Sequence, residues 1–323
     1  MARVRYCAVA GYAVLLAAFW FVARHFGITA RLGQELVPVF LSFAMLLGLY
    51  WGFGFGLGEW LADRLTGTAR VVAPLVLVVP YLVFALPAGV FRWDMLFGLT
   101  ALVMAFPLLL RGPSHVSPVD MPGWRDWLVL ALLGVSVDLR FFDQAFPLPG
   151  LNGMAKLMFV DAGLYGYLVV RPIGGIGFDF RPKLVDWGIG LREFLFYTPV
   201  ALALGFALAF LHFHAILSTP AAFAAGWLFT LFFVAMPEEL FFRGLLLNLL
   251  ERRIGTNKAL AVTSILFGLA HFNKRAVWFN WRYVILAGIA GVFYGRAWLG
   301  RRRVLTSSIT HATVDTVWSI WLR

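Results

Sequence analysis

The residues with the clearest chemical potential are two adjacent carboxylates and an arginine inside a long apolar run. They are Glu238, Glu239 and Arg243. An ionisable group within a membrane helix costs roughly 2.5–3.5 kcal/mol to insert, so it requires a partner or a task. Glu239 and Arg243 are four residues apart, share a helix face and can pair. Glu238 lies about 100° away round the helix, so we expect it to be left for chemistry.

Two later apolar segments also contain polar side chains at helical spacing. One ends with His271, four residues after Phe267, and the other contains His311 with Asp315 four residues further on. Each pair lies on one helix face. Three of the last four predicted helices therefore carry ionisable groups in apolar surroundings. We expect these groups to converge on one cavity, since in lipid they are best satisfied by one another.

Two chemistries are compatible with such a cavity. In the first, Glu238 acts as a general base on a water molecule that His271 orients, while His311 and Asp315 face the scissile carbonyl. In the second, Glu238, His271 and His311 hold a zinc ion that activates the water. The H-E-x-x-H signature of many zinc proteases is absent from the sequence. The sequence leaves the choice between no cofactor and zinc open.

The composition places these groups in a membrane protein. Of the 323 residues, 61% are hydrophobic and 13% are charged, whereas soluble domains carry roughly 25% charged residues. The net charge of +11 comes from arginines that fall mostly between apolar runs, where they anchor helix ends to anionic lipid headgroups. We therefore expect membrane lipids as partners. No motif for binding nucleic acid is present, so we expect no nucleic-acid partner. The single cysteine, Cys7, excludes an intramolecular disulfide and a cysteine-based metal cluster.

The apolar runs predict an all-α, polytopic transmembrane bundle of about eight spans with an irregular interfacial insert. The predicted division has three parts: N-terminal transmembrane helices in 1–111, an interfacial or extramembrane insert in 112–190, and a catalytic transmembrane core in 191–323.

The insert is predicted from its scattered charges, glycines and prolines. Residues 164–170 and 176–180 have a strand-like composition. Asp161 and Asp186 are interpreted as ordinary surface charges.

Two features of the core predict how its helices are shaped and packed. Pro237 directly precedes the two glutamates, and we expect it to bend a long helix, because proline removes one backbone hydrogen bond. Gly288, Gly291 and Gly295 recur along one helix and predict close contact with a neighbouring helix.

The three polar sets resemble the three motifs of the CPBP family, the CAAX-prenyl-protease and bacteriocin-processing (Abi) intramembrane proteases. Order, spacing and helical context all match, over about residues 185–322. The matching motifs are Glu238-Glu239-x-x-x-Arg243, Phe267-x-x-x-His271 and His311-x-x-x-Asp315.

This resemblance implies a membrane endopeptidase acting on a peptide or membrane-protein substrate, in a multi-pass protein of a prokaryotic cell membrane. It implies that Glu238 and His271 activate water and that His311 and Asp315 form the oxyanion pocket. Glu239 and Arg243 would support the site.

The fourth motif position departs from the eukaryotic CAAX-protease pattern, in which asparagine is usual. Aspartate is an accepted variant in prokaryotic members, but an ionised Asp315 cannot donate a hydrogen bond to an oxyanion. We therefore expect it to orient His311 or to bind metal. A non-proteolytic member of the family, acting as an immunity factor or scaffold, is the alternative function. The otherwise intact motif set favours an enzyme.

Overall fold

The protein is almost entirely helical. The computed structural model describes residues 2–111, 121–148, 151–214, 219–274 and 278–322. Helix makes up 81% of the structure, and these residues contain no strand. Within these residues, eight helical segments are long and apolar enough to cross a membrane. The predicted all-α polytopic bundle of about eight spans is thereby confirmed, and the chain is a multi-pass membrane protein.

The chain divides into two compact units, Met1–Ile173 and Gly174–Arg323. The predicted three-part division stays a prediction, and residues 112–120, where the predicted insert begins, lie outside the described residues. The helices described in the first unit are α1 (Ala2–His25), α2 (Ile28–Leu32), α3 (Leu36–Gly54), α4 (Leu57–Arg64), α5 (Gly67–Val72), α6 (Val79–Ala85), α7 (Trp93–Leu110), α8 (Trp124–Asp138) and α9 (Asn152–Tyr165). Short 3-10 turns at Gly33–Glu35, Ala73–Val78 and Asp143–Ala145 interrupt this series, and a π-helical turn, Gly166–Val170, extends α9.

Two sequence expectations within the first unit are wrong. Residues 164–170 belong to the end of α9 and its π-helical extension, within a candidate span, Gly153–Val170. A short apolar run rich in valine and tyrosine suits a buried helix as well as a strand, and periodicity cannot separate the two. Asp161 is fully buried, and neither carboxylate oxygen has a hydrogen-bond partner among the described residues, so it is no surface charge.

The second unit holds seven α-helices within its described residues. They are α10 (Leu184–Ala207), α11 (Pro220–Thr230), α12 (Met236–Glu239), α13 (Asn248–Ile254), α14 (Thr256–Leu269), α15 (Trp281–Arg301) and α16 (Val304–Trp321). Two π-helical turns, Leu231–Ala235 and Leu240–Leu247, join α11, α12 and α13 into one continuous stretch, Pro220–Ile254, which we call the site segment.

The site segment is irregular on both sides of its two glutamates. Pro237 has no N–H to bond the residue four positions earlier, and its ring would crowd that residue in a regular α-helix. The wider π-helical turn that directly precedes α12 accommodates the proline. π-Helical turns in α-helices frequently mark functional sites. The bend predicted at Pro237 stays a prediction.

Glycines bring α14 and α15 into backbone contact, as predicted for α15. A Cβ atom on Gly268 would lie 2.5 Å from the carbonyl oxygen of Val284, and one on Gly291 would lie 3.1 Å from the Cα of Ser264. One on Gly295 would lie 2.3 Å from Leu260. Side chains at these positions would push the two helices apart.

Asp186 is the other presumed surface charge, and that expectation is also wrong. It is fully buried at the start of α10, where one carboxylate oxygen accepts a hydrogen bond from the backbone N–H of Lys183 at 3.0 Å. The other oxygen accepts from the hydroxyl of Thr306 at 2.9 Å and lies 3.1 Å from Nε of Arg303. The carboxylate is buried because it links α10 to α16.

Residues 176–180 form an extended segment without strand pairing in the described part of the chain. Ile176, Phe178 and Phe180 are buried alternately, so the alternation in the sequence is real. The segment lies against the junction of α15 and α16: the N–H of Val304 donates to the carbonyl of Gly177 at 2.9 Å. Because the segment pairs with the first residue of a helix and not with another strand, the strand prediction is wrong.

We expect Gly177→Ala to destabilise the second unit. Gly177 has φ +72°, and a Cβ atom would lie 1.9 Å from the carbonyl oxygen of Arg302. Backbone strain and overpacking together should cost at least about 2 kcal/mol. Thermal unfolding of the purified protein in detergent measures the loss. Gly174→Ala is the matched control, because its Cβ would meet no atom within 4 Å. Equal melting temperatures for the two variants would contradict this packing.

Candidate active site

Glu239 is the most deeply buried acid of the predicted site. Its side chain is fully buried, and Oε1 accepts hydrogen bonds from Nη1 of Arg243 at 2.8 Å and from Nδ1 of His311 at 2.9 Å. The ion pair predicted from the four-residue spacing is present. The same carboxylate oxygen therefore joins the site segment to α16.

Arg243 is buried, and its charge is stabilised by a carboxylate, a backbone carbonyl and two aromatic rings. Besides Glu239, its Nη2 donates to the carbonyl oxygen of Gly291 on α15 at 3.0 Å. The guanidinium carbon lies 4.5 Å from the ring centre of Phe267 and 5.4 Å from that of Tyr294. Aromatic faces attract a cation, most strongly away from water. Arg243 thus ties the site segment to α14 and α15.

His311 is surrounded by three carboxylates. Its Nδ1 must donate to Glu239, because a carboxylate oxygen can only accept. Its Nε2 lies 3.5 Å from Oδ2 of Asp315 and 4.0 Å from Oε2 of Glu238. A lone pair on Nε2 would face two acidic oxygens, so the arrangement favours a proton held between Nε2 and these carboxylates.

His271 is oriented by a backbone carbonyl. Its Nδ1 lies 2.8 Å from the carbonyl oxygen of Phe267, which can only accept, so Nδ1 carries the hydrogen. In neutral His271 the lone pair is therefore on Nε2. The ring packs against Phe267 and Tyr283, with centroids 4.9 and 4.8 Å away. These contacts fix the orientation of the imidazole.

The two histidines and Asp315 line one cavity of about 80 Å³, enough for more than one water molecule. Its remaining lining is mostly apolar and aromatic and comes chiefly from α10, α14, α15 and α16. Glu238 is not among the lining residues, but a quarter of its side chain is exposed and its carboxylate approaches His311. Glu238, Glu239 and Asp315 thus lie beside His311, Arg243 pairs with Glu239, and His271 shares the cavity with His311 and Asp315.

The sequence did not single out Tyr294, which is part of this arrangement. Its ring stacks on that of His311, with centroids 4.6 Å apart and planes 17° apart, and only 2% of the residue is exposed. Tyr294 also lines the cavity. The available signal was its position three residues after Gly291, on the helix face that contacts the site segment.

The zinc alternative gains no support from the side chains. Across the described ranges, no group of three or more histidine, cysteine or acidic side chains is placed to hold a metal ion. Glu238, His271 and His311 therefore do not fit a zinc site, and the metalloprotease interpretation is unsupported.

Comparison with known proteins identifies a family for part of the chain. Residues 220–317 match the family model described as type II CAAX prenyl endopeptidase Rce1-like. No curated protein and no solved structure matches the chain. The matched segment holds all six predicted site residues, and the match confirms the resemblance to the CPBP family found in the three motifs. Residues 220–317, within the second structural unit, are thus similar to the Rce1-like endopeptidases of the CPBP family.

Proposed function

We propose that the protein is an intramembrane endopeptidase that hydrolyses a peptide bond with a water molecule activated by Glu238 and His271. The observation that carries the proposal is the shared cavity of His271, His311 and Asp315, with Glu238 and Glu239 beside His311, in a segment of a protease family. The family match supports a CAAX-type protease in general. The residue roles below are our inference.

Water activation follows from the state of His271 and the position of Glu238. The Nε2 lone pair of His271 accepts a hydrogen bond from the water and orients it towards the scissile carbonyl. Glu238 accepts a water proton as the oxygen attacks, a C–O bond forms and the carbonyl electron pair moves to oxygen. When the intermediate collapses, the C–N bond breaks and Glu238 returns the proton to the leaving amine. General acid–base catalysis of this kind contributes about 10²–10⁴-fold.

Glu239 and Arg243 act as positioning residues in this mechanism. Glu239 holds Nδ1 of His311, and Arg243 holds the carboxylate of Glu239 in place. Because Nδ1 of His311 donates to Glu239, the orientation of the ring is set and Nε2 faces Asp315. Asp315, which as a carboxylate cannot stabilise an oxyanion, instead holds the proton on His311.

The oxyanion then needs a further donor, and we assign this role to the hydroxyl of Tyr294. Three other residues with hydroxyls line the cavity: Tyr197 donates to the carbonyl of Leu286 at 3.1 Å, Thr198 donates to that of Phe194 at 2.8 Å, and Tyr283 packs edge-on against His271 and makes a further interaction. The Tyr294 hydroxyl has no hydrogen-bond partner among the described residues. Stacking on His311 fixes the ring beside the reacting groups. Preorganised donors of this kind stabilise developing charge strongly in a dry site.

We expect Glu238→Gln or His271→Ala to reduce peptide cleavage by at least 10²-fold, because each removes a group that activates water. The protein is reconstituted in liposomes and incubated with a proteome-derived peptide mixture in ¹⁸O-labelled water. Mass spectrometry counts new carboxyl termini that carry one ¹⁸O atom.

Exposed Glu59→Gln is the matched control for loss of a glutamate and should leave cleavage unchanged. Thermal melting of every variant verifies that it is folded. Persistent cleavage in both site variants would refute the proposed mechanism, and no cleavage by the unmodified protein in this assay would refute the proposed function.

A second prediction tests the hydroxyl of Tyr294. Tyr294→Phe keeps the ring stacked on His311 but removes the proposed oxyanion donor, so kcat should fall about 10²-fold with little change in KM. Cleavage kinetics on a peptide found in the preceding assay measure both constants. Tyr197→Phe, whose hydroxyl is bonded to the backbone away from the reaction, should retain nearly full activity. Equal kcat values for the two variants would show that Tyr294 contributes only its ring.

A further inference from the structure

Another buried acid of the second unit lies on α10, outside the lining of the cavity. The side chain of Glu193 is fully buried, yet it is bracketed by two arginines that are about half exposed. Oε1 accepts from Nη2 and Nε of Arg192 at 2.7 and 3.1 Å. Oε2 lies 3.0 Å from Nε of Arg296 on α15. One carboxylate therefore holds two guanidinium groups at the protein surface.

The cluster has one positive charge in excess. Glu193 neutralises one of the two arginines, and no other acidic group pairs with either in the described part of the chain. The outer guanidinium nitrogens, Nη1 of Arg192 and both Nη atoms of Arg296, have no hydrogen-bond partner among the described residues. These donors are available to an external anion.

The two arginines lie near the ends of their helices. Arg192 follows the start of α10 by roughly 12 Å and Arg296 precedes the end of α15 by roughly 8 Å, at 1.5 Å per residue. These two helix ends are adjacent, because a Cβ on Gly300 would lie 3.5 Å from the side chain of Ile189. Both helices are candidate spans. The headgroup region is about 5–8 Å thick on each side of the hydrocarbon core, so we expect lipid headgroups to lie within reach of the two guanidinium groups.

An apolar floor lies directly beside the cations. The guanidinium carbon of Arg296 is 5.5 Å from the ring centre of Phe293 and 5.9 Å from that of Phe196. Phe196 is 50% exposed. An amphiphile with an anionic head and an acyl chain would satisfy both the cations and the rings.

We propose that Arg192 and Arg296, preset by Glu193, bind the phosphate of an anionic phospholipid whose acyl chain lies on Phe196 and Phe293. The planar guanidinium fork matches phosphate oxygens, and its rotamer is already fixed by the buried carboxylate. An excess cation on a membrane-spanning surface is costly without a counterion, and lipid phosphate is the anion present at that depth. This site is separate from the catalytic cavity and does not rest on the proposed hydrolysis.

The test compares lipid retention by purified protein and a neutralised variant. Removing only the arginines would leave Glu193 buried and unpaired, which is strongly destabilising. The variant is therefore Arg192→Gln/Glu193→Gln/Arg296→Gln, which removes the charges together. Each protein is titrated with dioleoyl phosphatidylglycerol or dioleoyl phosphatidylcholine in detergent, and native mass spectrometry counts bound lipid.

The unmodified protein should bind phosphatidylglycerol at least tenfold more tightly than phosphatidylcholine, and the triple variant should lose this preference. Arg301→Gln is the matched control, since this exposed arginine at the end of α15 has no buried acid beside it, and it should keep the preference. An unchanged preference in the triple variant would overturn the proposal. The proposal would also be overturned if glycerol phosphate stabilised the protein against heat as much as phosphatidylglycerol does, because the site would then bind soluble anions.

Discussion

One buried carboxylate oxygen underlies the structure of the C-terminal unit. Oε1 of Glu239 receives Arg243 from its own helical segment and His311 from α16. Removing an ion from water costs several kcal/mol, and only close partners offset that cost. The two contacts, with the bond from Arg243 to the carbonyl of Gly291, make the burial of this charge tolerable. They also fix the relative positions of three helices.

Close backbone packing makes this interaction geometrically feasible. Arg243 reaches the carbonyl of Gly291, and a Cβ atom on that glycine would lie 3.1 Å from the Cα of Ser264 on α14. Gly268 and Gly291 in turn let α14 approach α15; α14 carries Phe267 beneath the guanidinium, and the turn that follows α14 places His271 at the cavity wall. In lipid, where apolar surface gives little driving force between helices, such packing and buried polar bonds hold a bundle together.

The acids around His311 have different surroundings and therefore suit different tasks. Glu239 is fully buried, with Oε1 committed to two partners and Oε2 without a hydrogen-bond partner among the described residues, whereas the side chains of Glu238 and Asp315 are 25% and 30% exposed. A committed carboxylate can position an imidazole but cannot exchange protons with water. Partly accessible carboxylates can do so, and for that reason Glu238 is our choice of general base. The aspartate at the last motif position fits this arrangement because Nε2 of His311 offers it a proton to hold.

The sequence by itself determined the membrane class, the helical content and the three motif sets, because apolar run length and four-residue spacing are local properties. It also predicted the close packing of α15 from Gly288, Gly291 and Gly295. It failed for Asp161, Asp186 and residues 164–170 and 176–180, whose burial depends on neighbours distant in the chain. Only the tertiary structure decided that Glu239 rather than Glu238 pairs with His311, that Tyr294 stacks on that ring, and that Glu193 gathers two arginines. The contacts of His311 with Glu239 and Tyr294, and of Glu193 with Arg296, join separate helices, and no local pattern specifies which faces of two helices will meet.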